Sequence, residues 1–260
     1  MKKVVLFKGE SEEYRSAFSG TEYEPVFVEP LQFEQVNGDG LAEALSAQYS
    51  GLVVTSVRAV DAVARRWDPA RYVLWSERRV YAVGEATAAR CRLALGLTAR
   101  GQAAGNADNL AKLIVQENPP GSKFLFPCGN LRSETLPAVL EGSQMSVDAL
   151  TVYETIENVN LKSSLMELNT RTTMATVTAA RPCALVFFSP SGCEYIHRQL
   201  QTFSNELAQL PHFAIGNSTA HKIETLGLEI AGVAAKPRPD SLIDSIRKYF
   251  VILFITYTCR

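Results

Sequence analysis

Several features that mark metal, membrane or nucleic-acid-binding proteins are scarce or missing in this chain of 260 residues. It contains only 3 histidines and 5 cysteines, and none forms a C-x-x-C pair or a cluster spaced for zinc. The longest apolar run, at positions 249–257, is much shorter than the ~20 residues of a membrane-spanning helix. Since 26 Lys and Arg balance 27 Asp and Glu, no global positive field exists to attract nucleic acid.

The short motifs of common catalytic and nucleotide sites are also absent. G-x-x-x-x-G-K-[ST], G-x-G-x-x-G, G-x-S-x-G and H-E-x-x-H do not occur. The odd cysteine count leaves at least one thiol unpaired, and the apolar run at 4–7 is too short for a signal peptide. We therefore expect a cytosolic protein with reduced thiols and no metal site.

What the chain does contain is a recurring unit of a short apolar run, a small or polar turn and an amphipathic stretch. This pattern is typical of a β-strand that leads through a tight turn into an α-helix. The strands predicted in this way are 3–8, 51–55, 79–83, 123–127, 184–188 and 212–215. Continuous apolar strands that alternate with helices indicate an α/β fold with doubly wound, flavodoxin-like parallel sheets.

An internal repeat predicts that this fold occurs twice. LVVTSVRAVDAVARRW at 52–67 resembles LVFFSPSGCEYIHRQL at 185–200, and YAVGEAT at 81–87 resembles FAIGNST at 213–219. Two long copies indicate a duplicated domain and not a solenoid.

The chain would pass between the two domains through extended segments. Residues 31–36 and 149–156 both have the pattern of strands, so we predict that they pair as a two-stranded β-ribbon. The first domain would then be discontinuous, comprising 1–30 and 157–260, and the second would comprise 37–148. Chain ends often lie close together in compact domains, which favours this arrangement.

Five predicted strands are followed by turns rich in Gly, Ser, Thr or Asn, at 55–58, 83–87, 127–130, 189–192 and 215–219. Ligands of open parallel sheets bind at the carboxyl ends of the strands, where helix N-termini offer free N–H groups. For any one of these turns, helix capping and turn formation are the preferred explanation. Five turns facing one cleft favour the binding of carboxylates or phosphates. Tyr153, on the predicted ribbon, is either a packed tyrosine or a proton donor facing the ligand.

The motifs LVVTSVRAVDAV, VYAVGEATA, FLFPCGNL, LTVYET, VFFSPSG and FAIGNSTA, in this order, resemble the uroporphyrinogen-III synthase family, and its animal members in particular. The resemblance extends from Val4 to about Lys248. It implies a cytosolic, cofactor-free hydro-lyase of haem biosynthesis that closes hydroxymethylbilane to uroporphyrinogen III. Ring D would be inverted through a spirocyclic pyrrolenine, with loss of water.

The same resemblance implies the site residues. Tyr153 would assist departure of the hydroxyl group, Thr87 and Thr219 would donate hydrogen bonds to propionate or acetate groups, and Arg58 would bind a carboxylate. The implied substrate-binding set is Ser56, Arg58, Thr87, Gly129, Asn130, Ser189, Ser218 and Thr219.

Two segments depart from the family pattern. Residues 164–180 have the composition of a surface insertion, and the apolar segment 249–260 differs from the polar family tail. We therefore expect deletion of 250–260 to leave activity intact.

Two other functions stay open. One is a non-catalytic two-lobed module that closes on a small anionic ligand, and the other is a phosphate-ester enzyme that uses the same helix N-termini. The expected partner is a small molecule, with neither nucleic acid nor membrane, and the expected state is a monomer.

Overall fold

The computed structural model describes residues 1–173, 182–202 and 206–258. The strands, in chain order, are β1 (Lys2–Phe7), β2 (Tyr23–Phe27), β3 (Leu31–Gln35), β4 (Gly51–Val54), β5 (Arg79–Ala82), β6 (Ala99–Arg100), β7 (Lys123–Gly129), β8 (Ser146–Glu157), β9 (Pro182–Phe187), β10 (His212–Ala214) and β11 (Ile230–Val233). The helices are α1 (Glu12–Phe18), α2 (Gly38–Ser46), α3 (Val57–Ala64), α4 (Pro69–Ser76), α5 (Glu85–Leu95), α6 (Ala107–Glu117), α7 (Thr135–Gly142), α8 (Leu161–Thr173), α9 (Pro190–Leu200), α10 (Asn217–Thr225) and α11 (Pro239–Thr258).

The chain divides into two compact units. Unit 1 comprises Met1–Gln32 and Ile156–Arg260, and unit 2 comprises Phe33–Thr155. Unit 1 contains a 5-stranded parallel sheet in the order β11-β10-β9-β1-β2, and unit 2 is built on a 6-stranded sheet in the order β3-β8-β7-β4-β5-β6. The predicted α/β fold class with two similar parallel-sheet lobes is confirmed.

The strand orders show how the two units correspond. β9, β10 and β11 occupy the positions in unit 1 that β4, β5 and β6 occupy in unit 2. The places of β7 and β8 are taken in unit 1 by β1 and β2, from the start of the chain. The N-terminal strands thus complete the sheet that the C-terminal half begins.

Each sheet has a buried cluster of apolar side chains on both of its faces. Successive residues of a strand point to opposite faces, so a central strand of consecutive apolar residues contributes to both clusters. In β4, Leu52 and Val54 belong to one buried cluster, while Val53 belongs to the cluster on the opposite face. In β9, Leu185 and Val186 are divided between two clusters in the same way. Full burial of each such side chain stabilises the fold by about 1.5–3 kcal/mol.

β3 and β8 pair with each other as predicted, but they do not form an isolated two-stranded ribbon. β3 does lie beside β8, and the bonds Val36 N–H to Val152 O and Asn158 N–H to Pro30 O show that the two strands are antiparallel. On its other side, however, β8 pairs with β7 from Ser146 to Tyr153. The predicted segment 149–156 is therefore part of a full sheet strand, because its other edge is hydrogen-bonded to the core.

The expected surface insertion at 164–180 is wrong for its first part. α8 buries Leu161, Leu165 and Leu168 against the core of unit 1, so residues 164–168 are an integral part of the fold. Residues 174–180 lie outside the described residues.

The C-terminal segment is the continuation of α11. Tyr249 packs against Phe213 with ring centroids 5.6 Å apart, and Phe250 lies 6.5 Å from the ring of Tyr23. Val251 and Ile252 are 58% and 64% exposed. A deletion that starts at Phe250 would therefore remove a core contact. Within the described ranges, no helix combines the length and hydropathy that a membrane span requires.

Candidate functional site

All the predicted site residues lie at or just beyond the carboxyl ends of parallel strands. In unit 2, Ser56 and Arg58 follow β4 and Thr87 follows β5. Gly129 ends β7, Asn130 directly follows it, and Tyr153 is the β8 residue at which the pairing with β7 ends. In unit 1, Ser189 follows β9, while Ser218 and Thr219 follow β10. This edge is where ligands of open α/β sheets bind.

Tyr153 and Ser56 form a hydrogen-bonded pair in unit 2. The Tyr153 Oη atom lies 3.2 Å from Ser56 Oγ. Ser56 is also the N-cap of α3, and its Oγ accepts the Ala59 N–H at 3.2 Å. The cap fixes the serine rotamer, so the phenol is held at the positive end of α3, where developing negative charge is stabilised.

Gly129 makes room for the Tyr153 ring. A Cβ atom at Gly129 would lie 2.6 Å from Tyr153 Cζ and 2.8 Å from its Oη, far inside van der Waals contact. The β7–β8 register changes at this point, from Cys128 opposite Thr151 to Gly129 opposite Tyr153. Such an irregularity re-aims a side chain, and here the tyrosine ring passes directly over the glycine.

Asn130 ties the end of β8 to β7. Its Oδ1 accepts the Thr155 N–H at 2.8 Å, its Nδ2 donates to Thr155 O at 3.4 Å, and its backbone N–H donates to Tyr153 O at 3.2 Å. The backbone pairing of β7 with β8 ends at Gly129, and beyond this point the Asn130 side-chain amide supplies the hydrogen bonds to the β8 backbone. Asn130 supports the backbone on both sides of Glu154 in β8.

Arg58, in the first turn of α3, lies over the ring of Phe33. Its Cζ lies 3.5 Å from the Phe33 ring centroid, and both residues are partly solvent-exposed. Stacking on a ring leaves the guanidinium edge free to bind a carboxylate through two N–H groups. Phe33 was not among the predicted site residues, although it lies in the segment 31–36 that the sequence singled out.

Thr87 and Thr219 occupy equivalent positions, as the third residues of α5 and α10. They are 5% and 4% exposed, so little of either side chain faces solvent. The N-caps of the two helices are Gly84 and Gly216, which provide no side-chain acceptor. First-turn N–H groups of both helices are therefore free of a side-chain cap, which suits an anion.

Ser189 and Ser218 differ in position and in hydrogen bonding. Ser189 is the N-cap of α9 and accepts the Gly192 N–H at 3.1 Å, which repeats the role of Ser56 in the sister unit. Ser218, the second residue of α10, is exposed. A further residue at this edge, Lys8, directly follows β1 and was not predicted.

The described cysteines are all free thiols, and Cys91, Cys128 and Cys193 are buried. Burial raises the pKa of Cys91 to about 11 and that of Cys193 to about 12. Burial also raises the pKa of Cys128. Because the thiolate is the nucleophilic form, burial disfavours a nucleophilic role for these three residues.

Fold and site together define a protein of two sister α/β units that present hydroxyl groups and helix N-termini at their strand ends. The family model described as Uroporphyrinogen-III synthase HemD matches residues 12–244. The chain belongs to the uroporphyrinogen-III synthase family.

Two curated relatives of similar sequence are named uroporphyrinogen-III synthase. Uroporphyrinogen-III synthase of Saccharomyces cerevisiae is 26% identical over 280 aligned positions, covering 95% of this chain and 96% of the yeast protein. The Schizosaccharomyces pombe protein is also 26% identical, with the same coverage.

Solved structures share the fold. The chain is similar to a mutant uroporphyrinogen III synthase from Thermus thermophilus, with a TM-score of 0.59, 15% identity and coverage of 96% of this chain and 99% of that one. The uroporphyrinogen-III synthetase of Helicobacter pylori gives a TM-score of 0.60, 15% identity and coverage of 95% and 99%.

Proposed function

We propose that this chain is a uroporphyrinogen-III synthase that closes hydroxymethylbilane to uroporphyrinogen III with inversion of ring D and loss of one water molecule. The observation that carries this proposal is the family match over residues 12–244. The hydrogen-bonded Tyr153–Ser56 pair at the N-terminus of α3 supports a chemical role for that edge of unit 2.

In the proposed reaction, Tyr153 donates a hydrogen bond to the terminal hydroxyl group of the substrate. The carbon–oxygen bond breaks, and the oxygen leaves as water with a proton that is supplied overall by the N–H of the pyrrole that carried it, so that a neutral azafulvene forms. This nitrogen regains a proton when the azafulvene methylene is attacked. The substituted carbon of ring D attacks the azafulvene methylene to form the spirocyclic pyrrolenine. Fragmentation and reclosure, with loss of a ring proton, give the inverted ring.

Positioning accounts for most of the catalysis in this proposal. The linear substrate also closes without an enzyme, but to the type I isomer, so the protein must select a conformation more than it must lower a large barrier. Ser56 orients the Tyr153 phenol, and Gly129 and Asn130 shape the end of β8 on which that phenol is placed.

The substrate is an anion with eight carboxylates, and the strand ends offer donors of the matching kind. Arg58 presents its guanidinium edge from the surface of Phe33. Ser189, Ser218, Thr87 and Thr219, with the first turns of α5 and α10, supply hydroxyl and amide donors to acetate and propionate groups.

We also propose that the protein acts as a cytosolic monomer. The free thiols Cys91, Cys128, Cys183 and Cys193 support a reducing compartment.

The proposal is tested by the identity of the product. Fresh hydroxymethylbilane is incubated with the full chain, the products are oxidised, and the porphyrin isomers are separated by chromatography. Type III uroporphyrin is the expected product. Type I alone, at the rate of the unaided reaction, would refute catalysis, and binding of the bilane without turnover would favour the non-catalytic module.

A further inference from the structure

Lys8 lies at the carboxyl edge of the unit 1 sheet. It directly follows β1, and β1 pairs with β9 so that Phe7 is opposite Phe187. The next residues along these strands are Lys8 and Phe188, and Ser189 then caps α9. Lys8 is therefore placed beside the turn that carries one of the proposed substrate-binding residues.

Two aromatic rings hold the Lys8 ammonium group in place. Its Nζ lies 3.9 Å from the ring centroid of Tyr14 and 5.0 Å from that of Phe188. The rings pack edge to face, with centroids 5.3 Å apart at an interplanar angle of 74°. Tyr14 is 4% exposed, and burial raises its pKa to about 12, so its phenol stays neutral. The cation is thus positioned before any ligand binds, which reduces the entropic cost of binding.

The positive charge of Lys8 has no close counter-ion. Several other cations of unit 1 are paired, for example Arg15 with Glu10 and Lys222 with Glu194. Lys8 forms no ion pair with any residue that the structure describes, and the Glu13 carboxylate acts on it only at longer range. Partial burial disfavours the charged form and lowers the pKa of Lys8. A partly desolvated ammonium without a partner gains from a bound anion.

We propose that Lys8 is a carboxylate-binding residue of unit 1, whose ammonium group pairs with an acetate or propionate group of the linear tetrapyrrole. The inference rests on the proposed function, because that function supplies the polycarboxylate. A purely structural alternative is that Lys8 only caps the two rings.

The test compares Lys8→Met with Lys2→Met. Lys2 lies at the opposite end of β1 and is also placed over a ring, with its Nζ 5.0 Å from the Phe250 centroid. Each substitution removes one charge and the cation–π contacts of a residue at one end of β1, two contacts for Lys8 and one for Lys2. Only the first removes a cation from the carboxyl edge. KM and kcat for hydroxymethylbilane are measured for both variants, together with their thermal unfolding.

We expect Lys8→Met to raise KM about tenfold, which corresponds to about 1.4 kcal/mol, with kcat changed by less than about twofold. Lys8→Arg should restore most of the affinity, because a guanidinium also stacks on rings and binds carboxylates. Lys2→Met should leave KM unchanged. The KM of the unmodified protein should also rise more steeply with salt than that of Lys8→Met.

An unchanged KM in Lys8→Met, or an equal rise in Lys2→Met, would overturn the inference. If Lys8→Met does not fold, Lys8→Gln replaces it in the same comparison, with the same expected and contrary results. A failure of the proposed function is distinguished from these outcomes, since the unmodified protein would then form no type III isomer at all.

Discussion

Substitution of Gly129 by alanine tests the geometry around Tyr153. The new methyl group would lie 2.6 Å from Cζ, 2.7 Å from Cε2 and 2.8 Å from Oη of Tyr153. Carbon atoms in favourable contact are about 3.5–4.0 Å apart, so the ring has to move by about 1 Å. The 3.2 Å contact between Tyr153 Oη and Ser56 Oγ is then lost.

The expected effect on catalysis is much larger than the effect on folding. A displacement of about 1 Å in a catalytic group lowers the rate about a hundredfold. Overpacking costs about 1–3 kcal/mol of unfolding free energy, at the low end here because the half-buried ring can swing outward. Since stabilities are about 5–15 kcal/mol, Gly129→Ala should remain folded.

The assay is the initial rate of type III formation for Gly129→Ala, Tyr153→Ala and the double variant. If Gly129 acts by admitting the Tyr153 ring, the double variant should have the kcat of Tyr153→Ala within about twofold, because no ring is left to displace. Gly142→Ala is the matched control, since a Cβ there meets nothing within 4 Å and the residue ends a helix of the same unit.

Additive losses in the double variant would refute the reasoning, because they would show that Gly129 acts independently of the tyrosine. Gly129→Ala with the activity of Gly142→Ala would refute it as well.

Three further predictions concern other residues. Tyr153→Phe should lower kcat about 10- to 100-fold without changing the melting temperature, and complete loss of activity with an intact fold would show that proton transfer dominates. Burial lowers the pKa of His212 below its ordinary 6.5, so the unfolded chain takes up this proton first as the pH falls. The unfolding free energy should therefore be smaller in urea melts at about pH 5.5 than at about pH 7.5, and an equal loss in His212→Gln would contradict this origin. Phe250→Ala should cost about 2 kcal/mol, roughly half the value for a fully buried phenylalanine, whereas the exposed Ile252→Ala should stay within about 0.5 kcal/mol; equal effects in urea melts would show that Phe250 is not a core contact.

The strands and helices of the α/β units were predictable because their signals are local. The predicted helix 85–95 coincides with α5, since a glycine precedes it, Gly96 ends it in a left-handed conformation, and no proline interrupts it. α4 was not predicted, although Asp68 caps it and Pro69 begins it, which is a typical helix start.

The details of the candidate site were less predictable, because they depend on tertiary contacts. The register change between Cys128 and Gly129 places Tyr153 over the glycine, and nothing in FLFPCGNL indicates which residue of the next strand lies opposite. The pairing of Phe33 with Arg58 likewise joins residues whose contact only the fold creates. For the C-terminal segment, hydropathy alone does not separate the packed Phe250 from the exposed Ile252.

The rate of uroporphyrinogen III formation at substoichiometric concentrations of the chain tests most directly whether the protein is a catalyst that inverts ring D. We expect this rate to be proportional to chain concentration over many turnovers, while the type I isomer falls below its level in the unaided reaction. A rate of type III formation that stays at zero as the chain concentration rises, with type I accumulating as in buffer, would contradict it.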